Sequence, residues 1–166
     1  YSFEATPAGT AGGVKRVADF IDGTFVVAMG DVLVDLDVRP LIEFHRRKKS
    51  VATIALTEVE DPTEYGIVGL DKGGRIQRFK EKPSREEAFS NLVNAGIYVL
   101  ERRLIEAIPL GRAVSLEREV FPTLLDGRLR GVELGGPFVD IGVPESYAAL
   151  EADPSILPLA DTGGRS

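Results

Sequence analysis

Residues 24–30, TFVVAMG, form an apolar run too continuous to alternate between two faces, and it is rich in β-branched side chains. Such a run predicts a strand buried on both sides, which needs helices packed above and below it. SVATIALTEV (50–59) and LVNAGIYVLE (92–101) predict two more strands, and helical signals lie between the three. Val14, Val17, Phe20 and Ile21 recur at helical spacing within 12–21, while Asp37 as an N-cap and Pro40 in the first turn predict a helix to about Lys49. YGIVGLD and RIQRFKEK flank KGG as a hairpin. RRLIEAI predicts a short helix. In SLEREVFPTLLDG, Ser115 precedes an acidic first turn with Glu119 near its end, and Pro122 must shorten or kink the helix or begin a second turn. LRGVELG and PFVDIG read as short strands, and PESYAALEA as a last helix opened by Pro144. Strands alternating with helices predict an α/β layered fold with a mostly parallel sheet and an inserted antiparallel hairpin. It spans residues 1–152, with 153–166 as a tail or linker.

The charge balance narrows the function. The net charge is −6, and the basic residues are scattered except for RRKK at 46–49, which sits where it complements a helix C-terminus. A nucleic-acid partner would need a broader basic surface. No window has the roughly 18 apolar residues of a membrane span, and no signal-peptide pattern opens the chain. A cytoplasmic protein is the plain reading. The absence of cysteine excludes disulfides and thiolate metal sites. His45, the single histidine, lies among basic helical residues with no nucleophile motif beside it, so a surface position is expected.

The chemistry-bearing residues cluster at strand ends. Asp31 follows Gly30 after the first strand, and Asp140 ends the short strand in GPFVDIG. In open α/β sheets ligands gather outside the carboxyl ends of strands. Two carboxylates there could share a Mg2+, which favours carboxylate and phosphate oxygens; each could equally be a turn or cap residue. Asp35 and Asp37 read as structural. EKP (81–83) joins an acid able to accept from sugar hydroxyls to a base able to meet a phosphate, or else forms a surface salt bridge and a turn. NAG (94–96) predicts a bulge or a close backbone approach to a ligand. GTAGG (9–13) opens a helix with N–H groups that could face a phosphate or a base edge.

In order, EATPAGTAGG, FVVAMGD, YGIV, FKEKP, VNAGIYVL, SLEREVFP and FVDIGVPESY resemble the sugar-1-phosphate nucleotidyltransferases, most of all those of the mannose-1-phosphate guanylyltransferase type. The similarity covers about residues 4–151. It implies the Rossmann-like nucleotide-diphospho-sugar transferase fold and transfer of a nucleotidyl group from a nucleoside triphosphate to a sugar 1-phosphate. By the same resemblance Asp31 and Asp140 would hold Mg2+, and Gly9 and Gly12 would lie against the base. Gly66, Glu81, Asn94 and Gly96 would line the sugar pocket, and Lys82 would approach the sugar phosphate. A homo-oligomer is expected by similarity.

The family opens with a strand, a G-x-G-T-R loop and a P-K-P segment, none of which precedes Tyr1, and the single methionine is Met29. The expectation is therefore that an N-terminal segment is missing and that these residues alone transfer little. It also predicts an unpaired apolar edge on the Val26–Val27 strand. Two alternatives stand beside the enzyme. One is a non-catalytic, nucleotide-sugar-binding or regulatory homologue. The other is a glycosyltransferase-like binder using DLD at 35–37.

Overall fold

The computed structural model describes residues 1–157. In chain order it holds α1 (Gly9–Arg16), β1 (Thr24–Ala28), β2 (Val32–Val34), α2 (Arg39–Lys48), β3 (Ala52–Glu58), β4 (Gly66–Leu70), β5 (Ile76–Glu81) and β6 (Leu92–Glu101). There follow α3 (Arg102–Glu106), a wide turn over Leu116–Val120, a tighter one over Phe121–Leu124, β7 (Leu129–Glu133), β8 (Phe138–Asp140) and α4 (Pro144–Ala152). Of the expected tail, Pro154–Ile156 form a single helical turn capped by Asp153, and residues 158–166 lie outside the described residues.

Six strands make the main sheet, with β6 at its centre. On one side β6 pairs antiparallel with β3, and beyond β3 lies β7, parallel to it. On the other side β1 takes the half of β6 from Ile97 to Glu101, and β4 meets the other half at Val93. Hence β1, β3, β4 and β7 all point one way, while β6 and the hairpin strand β5 oppose them. The α/β fold class and the inserted hairpin thus hold. Adjacent pairs are antiparallel except β3–β7, because the reversed β6 sits between strands that share a direction. The run at 24–30 is not buried on both sides: β1 pairs along one edge only among the described residues, its burial alternates, and Val26 is 43% exposed.

Alternation along β6 feeds two cores. Ala95, Ile97 and Val99 pack with Leu41 of α2 on one face. Tyr98 and Leu100 face Ile54, Leu116, Phe121 and Leu129 on the other. The Tyr98 and Phe121 rings meet edge to face at 5.1 Å, and Phe79 approaches Phe121 in the same manner at 6.0 Å, geometries that suit the aromatic quadrupole.

Several local readings shift in the structure. The first helix begins at Gly9 and closes at Arg16, because the Val114 carbonyl accepts from Ala11 N–H at 2.9 Å and anchors its opening turn. Helix α2 starts at Arg39, so Asp37 stands just ahead of the cap position, its carboxylate accepting the Arg39 N–H at 2.9 Å. Ser115 does cap its turn: its hydroxyl accepts from Arg118 N–H at 3.1 Å, and Glu119 accepts from Ser115 N–H at 3.2 Å. Pro122 stands in the opening of the second turn, Phe121–Leu124.

His45 is a clear correction. It is 1% exposed, not a surface residue. Four residues after Leu41, it lies on the same inward stripe of α2. Its Nδ1 sits 2.8 Å from Thr53 Oγ1 and its Nε2 3.0 Å from Glu101 Oε1, so both ring nitrogens find partners on the sheet.

Gly131 of β7 sets the spacing to the side chains above it. A Cβ there would lie 2.5 Å from Leu56 Cδ1 and 3.0 Å from Leu70 Cδ2. Leu56 is fully packed, so Gly131→Ala is expected to destabilise the fold by about 1–3 kcal/mol through overpacking. Urea unfolding should show a lower midpoint at unchanged slope; an unaltered midpoint would contradict the packing described.

Candidate functional site

The two strand-end aspartates meet because β2 and β8 pair. Strand β1 ends at Ala28, and the chain turns at Gly30–Asp31 into β2, whose Val32 lies opposite Asp140. Ile141 N–H donates to the Asp31 carbonyl at 2.8 Å and extends the ladder by one step. Asp140 Oδ1 accepts the Gly142 N–H at 2.8 Å. A Cβ on Gly142 would lie 3.0 Å from Asp140 Oδ1 and 3.2 Å from Asp31 Oδ2. The two carboxylates therefore flank one small space kept open by a glycine. No cluster of three or more His, Cys, Asp or Glu side chains suited to a metal exists among the described residues. This donor set, a carboxylate pair with room for waters and phosphate oxygens, suits Mg2+ better than a caged site would.

Gly66 and Glu81 are cross-strand partners in the hairpin. A Cβ on Gly66 would lie 2.7 Å from Glu81 Oε2 and 2.9 Å from Phe79 Cζ, so glycine is what admits the carboxylate there. That Oε2 is buried and has no hydrogen-bond partner. Burial first, and the charge of Glu117 second, push the Glu81 carboxyl up from the ordinary range, with Arg118 and Lys82 partly offsetting them. Lys82 follows with φ at 43°, a left-handed backbone unusual for a residue with a Cβ. Its N–H donates to the Tyr65 carbonyl at 3.0 Å, and its exposed ammonium lies 3.5 Å from Glu64. That surface pair contributes little by itself.

NAG produces the predicted bulge. The β3–β6 register shifts between Ile54 and Leu56, and Gly96 adopts φ 71°. A Cβ on Gly96 would meet Val32 Cγ2 at 3.0 Å and Met29 Cβ at 3.2 Å, so Gly96 underlies the segment that carries Asp31. Asn94 Oδ1 accepts the Gly96 N–H at 2.9 Å, and its Nδ2 donates to the Tyr98 hydroxyl at 2.8 Å. Tyr98 in turn donates to Glu117 Oε1 at 3.0 Å.

The glycine-rich segment behaves differently from the sequence reading. Gly9 has φ 75° and sits so close to Val114 that a Cβ would lie 2.5 Å from its carbonyl oxygen. Gly12 is buried, and its N–H is already given to the Val114 carbonyl at 3.3 Å. The free N–H expected there is therefore used internally, and Gly12 can offer a ligand only close approach.

These parts adjoin one another. Tyr65, beside Gly66, stacks edge-on to Phe138 at 5.5 Å, and burial followed by the Asp140 charge pushes its phenol up. Glu81 feels Glu117, Glu117 accepts from Thr10 on α1 at 2.7 Å, and Gly96 supports the Asp31 turn. A cavity of about 330 Å3 lies elsewhere, among Leu104, Ile108, Leu124, Arg103, Arg112 and Arg128. Gly12 lines another, of about 260 Å3, beside Lys15 and Arg112. Thr10, Tyr98 and Glu117 escaped the sequence reading. Glu117 looks like one more acid in a helix's first turn, and its burial depends on partners from two distant segments.

A sequence model described as nucleotidyl transferase matches residues 1–155. The chain belongs to that family, among the sugar-1-phosphate nucleotidyltransferases. It is 41% identical over 150 residues to the UTP–glucose-1-phosphate uridylyltransferase of Synechocystis sp., covering 86% of this chain and 39% of that one. It is 40% identical over 157 residues to the mannose-1-phosphate guanylyltransferase of Mycobacterium tuberculosis, covering 92% and 43%. The chain thus spans about two fifths of the length of these curated relatives. Among solved structures, a putative glucose-1-phosphate thymidylyltransferase from Bacillus anthracis in complex with a sucrose superposes with a TM-score of 0.78 at 26% identity, covering 92% of this chain and 63% of that one. HddC from Yersinia pseudotuberculosis complexed with GMP-PN gives 0.72 at 29%, covering 88% and 62%. No helix among the described residues is long and apolar enough to cross a membrane.

Glu81 yields a pH-dependent prediction. Because its carboxyl is raised in the folded state, the protonated form favours folding. That contribution is complete below the unfolded-chain value and is lost as pH rises through the folded one. Glu81→Gln, neutral throughout, should melt above the native protein near neutral pH, and the gap should close towards about pH 4. Thermal melts at both pH values check this; a variant less stable than native near neutrality would contradict it.

Proposed function

We propose that this chain forms the sugar-phosphate side of a site that transfers a nucleotidyl group from a nucleoside triphosphate to a sugar 1-phosphate. A phosphate oxygen of the sugar 1-phosphate attacks the α-phosphorus, a P–O bond forms, and the bond to the β-phosphate breaks to release pyrophosphate. The attacking oxygen is already ionised, so no general base is required. The observation that carries the reading is the convergence of Asp31 and Asp140 over Gly142, in a chain of this family.

Both reactants are anions, so the protein's work is alignment and charge neutralisation. Asp31 and Asp140 would hold Mg2+, which when bound supplies a Lewis acid and neutralises phosphate charge. Glu81, with a buried oxygen lacking any partner, accepts from a sugar hydroxyl. Asn94 contributes its amide beside it, and Gly66 and Gly96 let the sugar approach the backbone. Lys82 swings from Glu64 to the sugar phosphate, and Gly9 and Gly12 lie against the base. Mannose 1-phosphate and GTP are the favoured pair, supported by the names of the relatives from Mycobacterium tuberculosis and Drosophila pseudoobscura pseudoobscura. The Synechocystis relative's name supports glucose 1-phosphate and UTP as the second reading.

Pyrophosphate release by the active polypeptide carrying this chain, screened over the common nucleoside triphosphates and several sugar 1-phosphates, tests the proposal. GTP with mannose 1-phosphate is expected to lead, and no release with any pair would overturn the reading. Asp31→Asn and Asp140→Asn should each lower kcat about 100-fold or more at an unchanged melting temperature. Full turnover in both variants would remove the carboxylate pair from the mechanism.

A further inference from the structure

The buried polar cluster around Glu117 has a direction fixed from both ends. At one end stands a carboxylate, which only accepts. Three hydroxyls reach it: Thr10 at 2.7 Å and Ser115 at 2.8 Å to Oε2, and Tyr98 at 3.0 Å to Oε1. Each hydroxyl oxygen already receives an N–H. Leu116 N–H donates to Thr10 at 2.8 Å, Arg118 N–H to Ser115 at 3.1 Å, and Asn94 Nδ2 to Tyr98 at 2.8 Å. Each therefore has its own proton left for Glu117. At the far end, the Gly96 backbone N–H, which can only donate, points at Asn94 Oδ1 from 2.9 Å. This fixes which amide atom of Asn94 is oxygen, and agrees with the direction set by Glu117.

We infer that Glu117 is a positioning residue: through Tyr98 it locks the Asn94 amide so that Asn94 presents its free Nδ2–H, a hydrogen-bond donor, to the sugar. One Nδ2–H serves Tyr98, and the other has no protein partner among the described residues. Asn94 is half-buried beside Gly96, where that donor can meet a ligand oxygen. Glu81 supplies the opposite function, a buried acceptor without a partner. The pocket thus selects a sugar with one oxygen that accepts from Asn94 and one hydroxyl that donates to Glu81. Glu117 also grips Thr10, between Gly9 and Gly12, so the same carboxylate ties the α1 segment to the sugar side. Burial makes the arrangement stiff: Glu117 is 8% and Tyr98 1% exposed, and an unmade hydrogen bond is costly there.

The inference rests on the transfer reading, so its test has two readouts. In steady-state kinetics of the active enzyme, Tyr98→Phe keeps the ring packed on Phe121 and removes only the relay. It should raise KM for the sugar 1-phosphate about tenfold while moving the nucleotide KM less than about twofold. Glu117→Gln should raise the same KM similarly, and the double variant no further, because both changes cut one chain of bonds. An unchanged sugar KM in Tyr98→Phe, or effects that multiply in the double variant, overturns the inference. The second readout is the pair of Asn94 side-chain amide resonances, followed by 1H–15N spectroscopy with no substrate present. Both variants should shift them alike, and resonances unmoved in both would overturn the relay even if transfer is observed. Absence of turnover by the unmodified enzyme would instead refute the transfer reading and leave the relay to be decided by these resonances.

Discussion

Strand β6 has to serve two ends at once, and the rest of the molecule is arranged around that demand. Its C-terminal half is sandwiched between β1 and β3, fully hydrogen-bonded, with side chains feeding both cores. Its other half loses that regular pairing at Asn94–Gly96, where the register slips and the backbone turns left-handed. A buried strand can interrupt its ladder only if the freed groups find other partners. Here Asn94 Oδ1 accepts the Gly96 N–H, and Met29 N–H donates to the Gly96 carbonyl at 2.9 Å. The bulge is thereby both satisfied and pinned beneath the turn that carries Asp31.

An acidic chain proposed to handle two anions has to keep its carboxylates in separate roles. The structure separates them by surroundings. Asp31 and Asp140 stand at an open rim around Gly142. Glu81 is half-buried without a partner, and burial holds its carboxyl above the ordinary range. Glu117 is enclosed and accepts three hydroxyl protons. The carboxylate group thus stands in three settings here, a pair at an open rim, a buried oxygen without a partner and an internal anchor.

Much of the frame could be read from local pattern. The apolar runs gave the strands, KGG the hairpin, and Ser115 the cap of the segment that follows it, because each signal lies within a few residues of what it specifies. What stayed hidden depends on distant partners. Nothing near residue 92 says that β6 runs against its neighbours. His45 reads as a solvated helical residue until Thr53 and Glu101 are brought to its two nitrogens. Gly12 loses its free N–H only because Val114, about a hundred residues on, folds back over α1. Asp31 and Asp140 could each be picked out as a strand-end acid, yet their meeting rests on the β2–β8 ribbon. Thr10, Tyr98 and Glu117 come from three segments, and their shared chain of bonds exists only in three dimensions.

Lys82 carries a different implication. Its left-handed backbone, φ 43°, is a conformation that glycine or asparagine occupies more comfortably than lysine. Replacing it by either would relax the chain and also delete a cation beside the proposed sugar site. Position 82 is thus a place where selection for robustness and selection for turnover pull in opposite directions. A library screened for heat tolerance alone would drift away from lysine there.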